Sequence, residues 1–120
     1  MEGHVSWMAQ YAVKEGSLDA LEELMREMVE GTSAEVGALA YEWYVSEDGA
    51  TVHLFEKYAS SDEAIAHVKG FFEKWGARLL ALVDVKRVVV YGDPSPSARK
   101  IFDSWGATYL GPWGGFSRFS

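Results

Sequence analysis

Leu54-Phe55-Glu56-Lys57-Tyr58-Ala59-Ser60-Ser61-Asp62-Glu63-Ala64-Ile65-Ala66-His67-Val68-Lys69-Gly70-Phe71-Phe72-Glu73-Lys74-Trp75 is the stretch that decides the fold. Its first residues alternate as a strand does, with Val52, Leu54, Glu56 and Tyr58 on one face. Ser60 followed by Glu63 has the spacing of a capping box, so a helix starts there. Ala64, Val68, Phe71, Phe72, Trp75, Leu79 and Leu82 then form an apolar stripe at helical spacing, with a kink expected at Gly70 or Gly76. His67 stands about one turn from Ala64 and Phe71, at the edge of that stripe. A strand carrying a core-side carboxylate therefore feeds a helix carrying a core-side imidazole.

Outward from this unit, Val83 to Tyr91 reads as the next strand and Gly92 closes it. Upstream, Asp48-Gly49 is a hairpin turn joining Ala38–Val45 to Thr51–Tyr58. Before that, Leu18, Leu21, Leu24, Met25, Met28 and Val29 mark a helix, with Ser17 as its expected cap and Gly31 as its expected stop. Val5 to Val13 alternates, with Trp7, Ala9, Tyr11 and Val13 on one face. The order is strand, helix, strand, strand, helix, strand. With right-handed crossovers this is an α+β, ferredoxin-like sandwich: two helices on one face of a four-stranded antiparallel sheet. The other sheet face carries large apolar groups, so two sheets are expected to pack as a homodimer.

Two parts are expected along the chain. Residues 1–92 form the sandwich, and residues 93–120 form an extension packed on the same domain or on the partner subunit. Ser95 and Pro96 begin a helix there, with Ala98, Ile101, Phe102 and Trp105 on one side. The tail beyond it carries Tyr109, Trp113, Phe116 and Phe119, too aromatic for a free linker.

Composition narrows the function. The chain has 120 residues, 48% of them apolar, which suits one globular domain. Five tryptophans, six tyrosines and six phenylalanines exceed what a small core needs, and point to a ligand pocket or an interface. A net charge of −7 without a basic stripe argues against nucleic acid and anionic membrane as partners. The absence of cysteine excludes disulfides, thiolate metal sites and cysteine nucleophiles, and fits a cytoplasmic location. No signal-peptide pattern and no membrane-length apolar run is present. His4, His53 and His67 make no HxH or HExxH spacing, so no metal site is expected.

Three segments resemble the antibiotic biosynthesis monooxygenase family of quinol monooxygenase-like dimeric α+β barrels. Glu35-Val36-Gly37-Ala38-Leu39-Ala40-Tyr41-Glu42 is similar to the family's Glu-Pro-Gly…Tyr-Glu entry into the second strand. Phe55-Glu56-Lys57-Tyr58 is similar to its Glu-x-Trp at the end of the third, and Asp62-Glu63-Ala64-Ile65-Ala66-His67 to its Glu-Ala…His helix start. The resemblance covers about residues 5 to 91. Val36 stands in place of the usual proline, Tyr58 in place of the tryptophan, and the extension after Gly92 has no named counterpart. The resemblance implies a homodimer with a pocket between sheet and helices in each subunit. Some members oxidise polycyclic phenols with O₂ and no cofactor, some degrade haem, and fold alone does not choose between them.

On this reading the catalytic candidates are His67, as proton acceptor or donor, and Glu56, as the group that orients it. The alternative for His67 is a structural role across the helix–sheet seam. Trp7, Tyr11, Tyr41, Trp43, Phe71, Phe72 and Trp75 are candidates to stack on a planar substrate as a group, while for each alone the core or the dimer interface is the commoner role. Three functions stay open. One is a cofactor-free monooxygenase acting on a hydroxylated aromatic. Another is a non-catalytic small-molecule-binding or structural dimer. The third is haem binding or degradation, with His67 or His53 as axial ligand.

Overall fold

The computed structural model describes residues 3–118; Phe119, grouped above with the tail aromatics, lies outside the described residues. The elements run β1 (Val5–Val13), α1 (Leu18–Ser33), β2 (Ala38–Val45), β3 (Thr51–Tyr58), α2 (Ser61–Lys74), α3 (Gly76–Leu80), β4 (Val83–Gly92), α4 (Pro96–Ser104) and β5 (Thr108–Leu110). The sheet order is β2-β3-β1-β4-β5. The first four strands pair antiparallel as expected for the ferredoxin-like α+β fold. The sheet has five strands instead of four, because the extension returns after α4 and lays Thr108–Leu110 parallel to Val89–Tyr91. A helical crossover is what a parallel neighbour requires, and α4 supplies it.

Register sorts the two faces. Trp7 on β1, Tyr41 on β2, Glu56 on β3 and Val90 on β4 stand in one row across the sheet. Ala9, Trp43, Leu54 and Val88 form the next row, and Tyr11, Val45, Val52 and Val85 the one after. This face packs the helices and holds the core. The bare face therefore carries Met8, Phe55, Val89 and Tyr91 among Glu42, Lys57, Asp84 and Arg87, while Trp7, Trp43, Tyr11 and Leu54 point inward.

Several local expectations change for physical reasons. Ser17 occupies the cap position of α1, but its side chain makes no cap bond; only its carbonyl accepts, from the Leu21 N–H at 2.9 Å. Gly31 does not stop α1, which continues to Ser33. A methyl at Gly31 would lie 2.5 Å from Trp75 Cη2, so glycine is there to let that indole seat against α1. The break between α2 and α3 falls at Trp75 itself (φ −132°, ψ −16°), next to Gly76 and not at Gly70. Ser60 does cap α2, accepting from the Glu63 N–H at 3.2 Å, but the Glu63 side chain lies against Gly37 and does not return to Ser60. Glu63 leaves no room for a Cβ at Gly37, and that close approach docks the loop after α1 onto the start of α2.

The extension is pinned at both ends. Ser95 caps α4 through the Ala98 N–H at 3.2 Å, and the Ser95 N–H donates to Ser61 Oγ at 2.8 Å. Phe102 is buried, Trp105 meets it edge-on at 5.4 Å, and both rings lie tilted against Trp7. After Leu110 the chain leaves the body: residues 111–118 are exposed, with Trp113 and Phe116 in the open. Among the described residues no helix is long and apolar enough to cross a membrane.

Candidate active site

Between the helix-facing side of the sheet and α2, α3 and α4 lies a cavity of about 360 Å³, within the size range of small-molecule sites. Trp7, Ala9, Tyr11, Tyr41, Leu54 and Glu56 line it from the sheet; His67, Val68, Phe71 and Phe72 from α2; Leu79 and Leu80 from α3; Trp105 from the extension. Val85 and Val88 both face it although they are three residues apart on one strand. A bulge allows this: the register of β1 on β4 shifts between Gln10 and Tyr11, so Lys86 is the extra residue.

Its polar wall is a four-member chain. His67, almost fully buried, lies between two carboxylates. Nδ1 is 3.0 Å from Glu35 Oε1 and 3.1 Å from Oε2, and Nε2 is 3.1 Å from Glu56 Oε1. The Tyr58 hydroxyl donates to the same Glu56 Oε1 at 2.8 Å. Glu56 Oε2 accepts no hydrogen bond among the described residues, and Glu56 borders the cavity. Each position follows from local structure. Glu35 sits in the turn after α1, whose N–H donates to the Thr32 carbonyl at 2.9 Å, and Gly37 lets that turn close on α2. Glu56 and Tyr58 share a strand face two residues apart. The Tyr58 ring stacks on Trp7 at 5.1 Å and meets His67 at 4.9 Å.

Electrostatics favour the protonated form of His67. Burial opposes its charge, but the Glu56 and Glu35 carboxylates outweigh burial and raise its pKa above the ordinary imidazole value. The phenols shift the other way in charge. Burial first, then the Glu56 charge, pushes the Tyr58, Tyr41 and Tyr11 pKa values far above the ordinary tyrosine range, so all three are neutral donors.

The structure brings Glu56 and His67 into contact and puts Trp7, Tyr11, Tyr41, Phe71 and Phe72 around one cavity. It sets two expected aromatics apart. Trp75 leans on Gly31 of α1. Trp43 stands between the Tyr11 and Tyr41 rings, 6.1 Å from each, and lines a shallower groove of about 160 Å³ beneath the start of α1. Three contributors escaped the sequence reading. Glu35 was visible only as part of a turn motif, Tyr58 only as a face-mate of Glu56, and Trp105 belonged to a segment whose placement was open. Among the described residues no group of three or more histidines, aspartates and glutamates can hold a metal ion; Glu35 and Glu56 approach His67 through opposite ring nitrogens.

Comparisons place this geometry among known folds. MupZ from Pseudomonas fluorescens superposes with a TM-score of 0.86 at 21% identity, over 96% of this chain and 94% of that one. That span takes in the extension, which thus has a counterpart in fold. Rv0793 from Mycobacterium tuberculosis is 27% identical over 78% of this chain and 98% of its own, with a TM-score of 0.67. SnoaB, described as a cofactor-independent oxygenase from Streptomyces nogalater and solved as a mutant, reaches 0.66 at 12% identity, over 78% of this chain and 95% of that one. No curated protein sequence matches. The element order, the inward Glu56 and His67 and the turn at Glu35-Val36-Gly37 fall within residues 5–71, where the family model for antibiotic biosynthesis monooxygenase matches; this is more than half of the chain, and the chain belongs to that family.

Proposed function

We propose that the protein is a cofactor-free monooxygenase that oxidises a planar, hydroxylated aromatic substrate with O₂. One observation carries the reading: a carboxylate oxygen, Glu56 Oε2, is left free at the wall of an aromatic cavity, while the other oxygen is held by His67 and Tyr58. The roles are the reverse of those read from sequence. His67 has both nitrogens engaged, so it is not free to take a substrate proton. Glu56 takes it. His67, kept charged by Glu35, fixes the carboxylate's orientation and offsets its charge.

The chemistry balances without a cofactor. Glu56 accepts the proton and the substrate becomes an electron-rich anion. The anion passes electrons to O₂ and a carbon–oxygen bond forms. The resulting hydroperoxide loses water, to which Glu56 returns its proton, and a new carbonyl remains. Trp7, Phe71, Phe72 and Trp105 hold the planar ring and keep bulk water out. SnoaB's description as a cofactor-independent oxygenase supports the type of reaction. A haem reading gains nothing from the geometry: His67 offers no free nitrogen, and His53 faces the other side of the sheet. The exposed Trp113 and Phe116 and the apolar groups of the bare sheet face support a homodimer as the working form.

Oxygen uptake with a panel of quinols and anthrones tests the proposal. Wild type consumes O₂ and Glu56→Gln loses at least about 100-fold in rate. Equal rates in the two proteins, or no uptake with any member of the panel, would overturn it.

A further inference from the structure

One end of the cavity is closed by the extension. Trp7 stands directly opposite Glu56 on the neighbouring strand, and two rings of the extension cover it, Phe102 at 5.0 Å and Trp105 at 6.5 Å. Phe102 is itself buried, whereas Trp105 is half-buried and lines the cavity. The Trp105 indole also meets Phe72 at 6.2 Å, so it spans from the sheet to α2. The open side of the cavity lies elsewhere: Phe72, Leu80 and Val85 line it and are each about half exposed.

The Trp105 ring is mounted as a wall, not as a lid. The start of α4 is tied to α2 through the Ser95 N–H on Ser61 Oγ. Past its end, Gly106 takes a left-handed turn (φ +70°) that sends the chain back to the sheet, where β5 pairs with β4. The Tyr109 hydroxyl then donates to Asp103 Oδ1 at 2.6 Å, and the Arg99 guanidinium lies 3.8 Å over the Tyr109 ring, so helix and strand hold each other. This wall lies outside residues 5–71, which the family model matches. Rv0793 and SnoaB are each matched almost end to end by 78% of this chain, which leaves them no length for a counterpart.

We infer that Trp105 is a specificity-determining residue: its indole closes the Trp7 end of the cavity and sets how many fused rings of a substrate can be buried, about three in a cavity of this size. The role rests on the monooxygenase reading for one thing, a planar aromatic occupant. Each ring buried against apolar walls adds about 10-fold to affinity. A substrate anchored at Glu56 gains this for every ring until it meets the indole. A further ring must then project through the open side into water, where it adds nothing. Without the indole, that ring lies over Trp7 and Phe102 and is buried in turn.

Equilibrium dialysis against naphthoquinone, anthraquinone and tetracenequinone tests the wall apart from any oxidation. These probes differ by one fused ring each and do not react with O₂, and the chain has no cysteine for them to alkylate. In wild type, affinity rises from the two-ring to the three-ring quinone and then stops. In Trp105→Ala it keeps rising, so the ratio of four-ring to three-ring affinity grows about 10-fold. Trp105→Leu, which keeps an apolar side chain but shortens the wall, falls between the two and carries the test if the alanine variant does not fold. Affinity that climbs with every ring in wild type would overturn the proposal, as would an equal loss for all three quinones in Trp105→Ala, which would make the indole a stacking surface only. No binding of any quinone would overturn it as well. Failure of the monooxygenase reading looks different: the quinones bind in the expected pattern while no quinol or anthrone takes up O₂.

Discussion

The two halves of the helix-facing side of the sheet use the same architecture and reach opposite results. Beyond the groove at its start, the space under α1 is filled: Leu24 and Met28 are buried, at 1% and 0% exposure. Under α2 the space is hollow, and His67 is the buried side chain where α1 has a leucine or methionine. What differs is who can close the gap. Flexible aliphatic chains on α1 interdigitate with the sheet. On α2, the His67 ring is held by carboxylates on both sides, and Phe71 and Phe72 meet edge-on at 5.0 Å and cannot collapse inward together. A polar network fixes its members in place, and rigid rings around it leave a void that aliphatic packing would have filled.

The sharpest way to break this comparison is to truncate a leucine on each side. Leu24→Ala is expected to cost about 3 kcal/mol, because a new void opens in packed surroundings. Leu79→Ala, equally buried but on the cavity wall, is expected to cost about half that, since the void merges with space already present. Urea unfolding of both variants measures the difference. Equal costs would mean that the hollow half is as tightly packed in solution as the solid one.

A smaller effect sharpens the polar side. Tyr58→Phe removes one of the two hydrogen bonds on Glu56 Oε1 and keeps the stack on Trp7. It is expected to cost about 1 kcal/mol in the same assay. The substitution also leaves His67 as the sole partner holding the carboxylate among the described residues. A variant as stable as wild type would show that this hydroxyl adds nothing to the network.

The contrast also explains what was legible in the sequence. Periodicity carries burial, so the strands, helices and inward faces of Trp7, Tyr11, Glu56 and His67 could be read from spacing alone. The element order came from the same spacing and turn signals, and the resemblance matched it over residues 5 to 91. What spacing does not carry is contact across the fold. Glu35 reaches His67 from 32 positions away, and nothing local marks it. Gly31 reads as a helix stop because the ring that needs its bare Cα, Trp75, lies on another helix. The bulge at Gln10/Tyr11 and the fifth strand depend on pairing partners that alternation does not name. The direction of His67's chemistry was missed for the same reason: one carboxylate suggests an oriented base, two suggest a clamped cation.

That clamp makes a last, smaller prediction whose sign follows from the raised pKa. A group whose pKa is higher folded than unfolded stabilises the fold fully below its unfolded value, and the contribution fades as pH rises through the folded value. For His67 the unfolded value is near 6.5, and the folded one is raised by Glu56 and Glu35 against the opposing effect of burial. Stability from the clamp is therefore complete below about pH 6.5 and declines on the alkaline side, as the imidazole loses its proton and the two carboxylates lose their shared cation. Unfolding midpoints between pH 6 and pH 9 are expected to fall more steeply for wild type than for His67→Gln, which keeps a polar side chain but cannot titrate. Leu24→Ala, on the filled side, should keep the wild-type slope while sitting lower at every pH. Parallel slopes for wild type and His67→Gln would place no titrating charge between the carboxylates, and the hollow half would then need another cause.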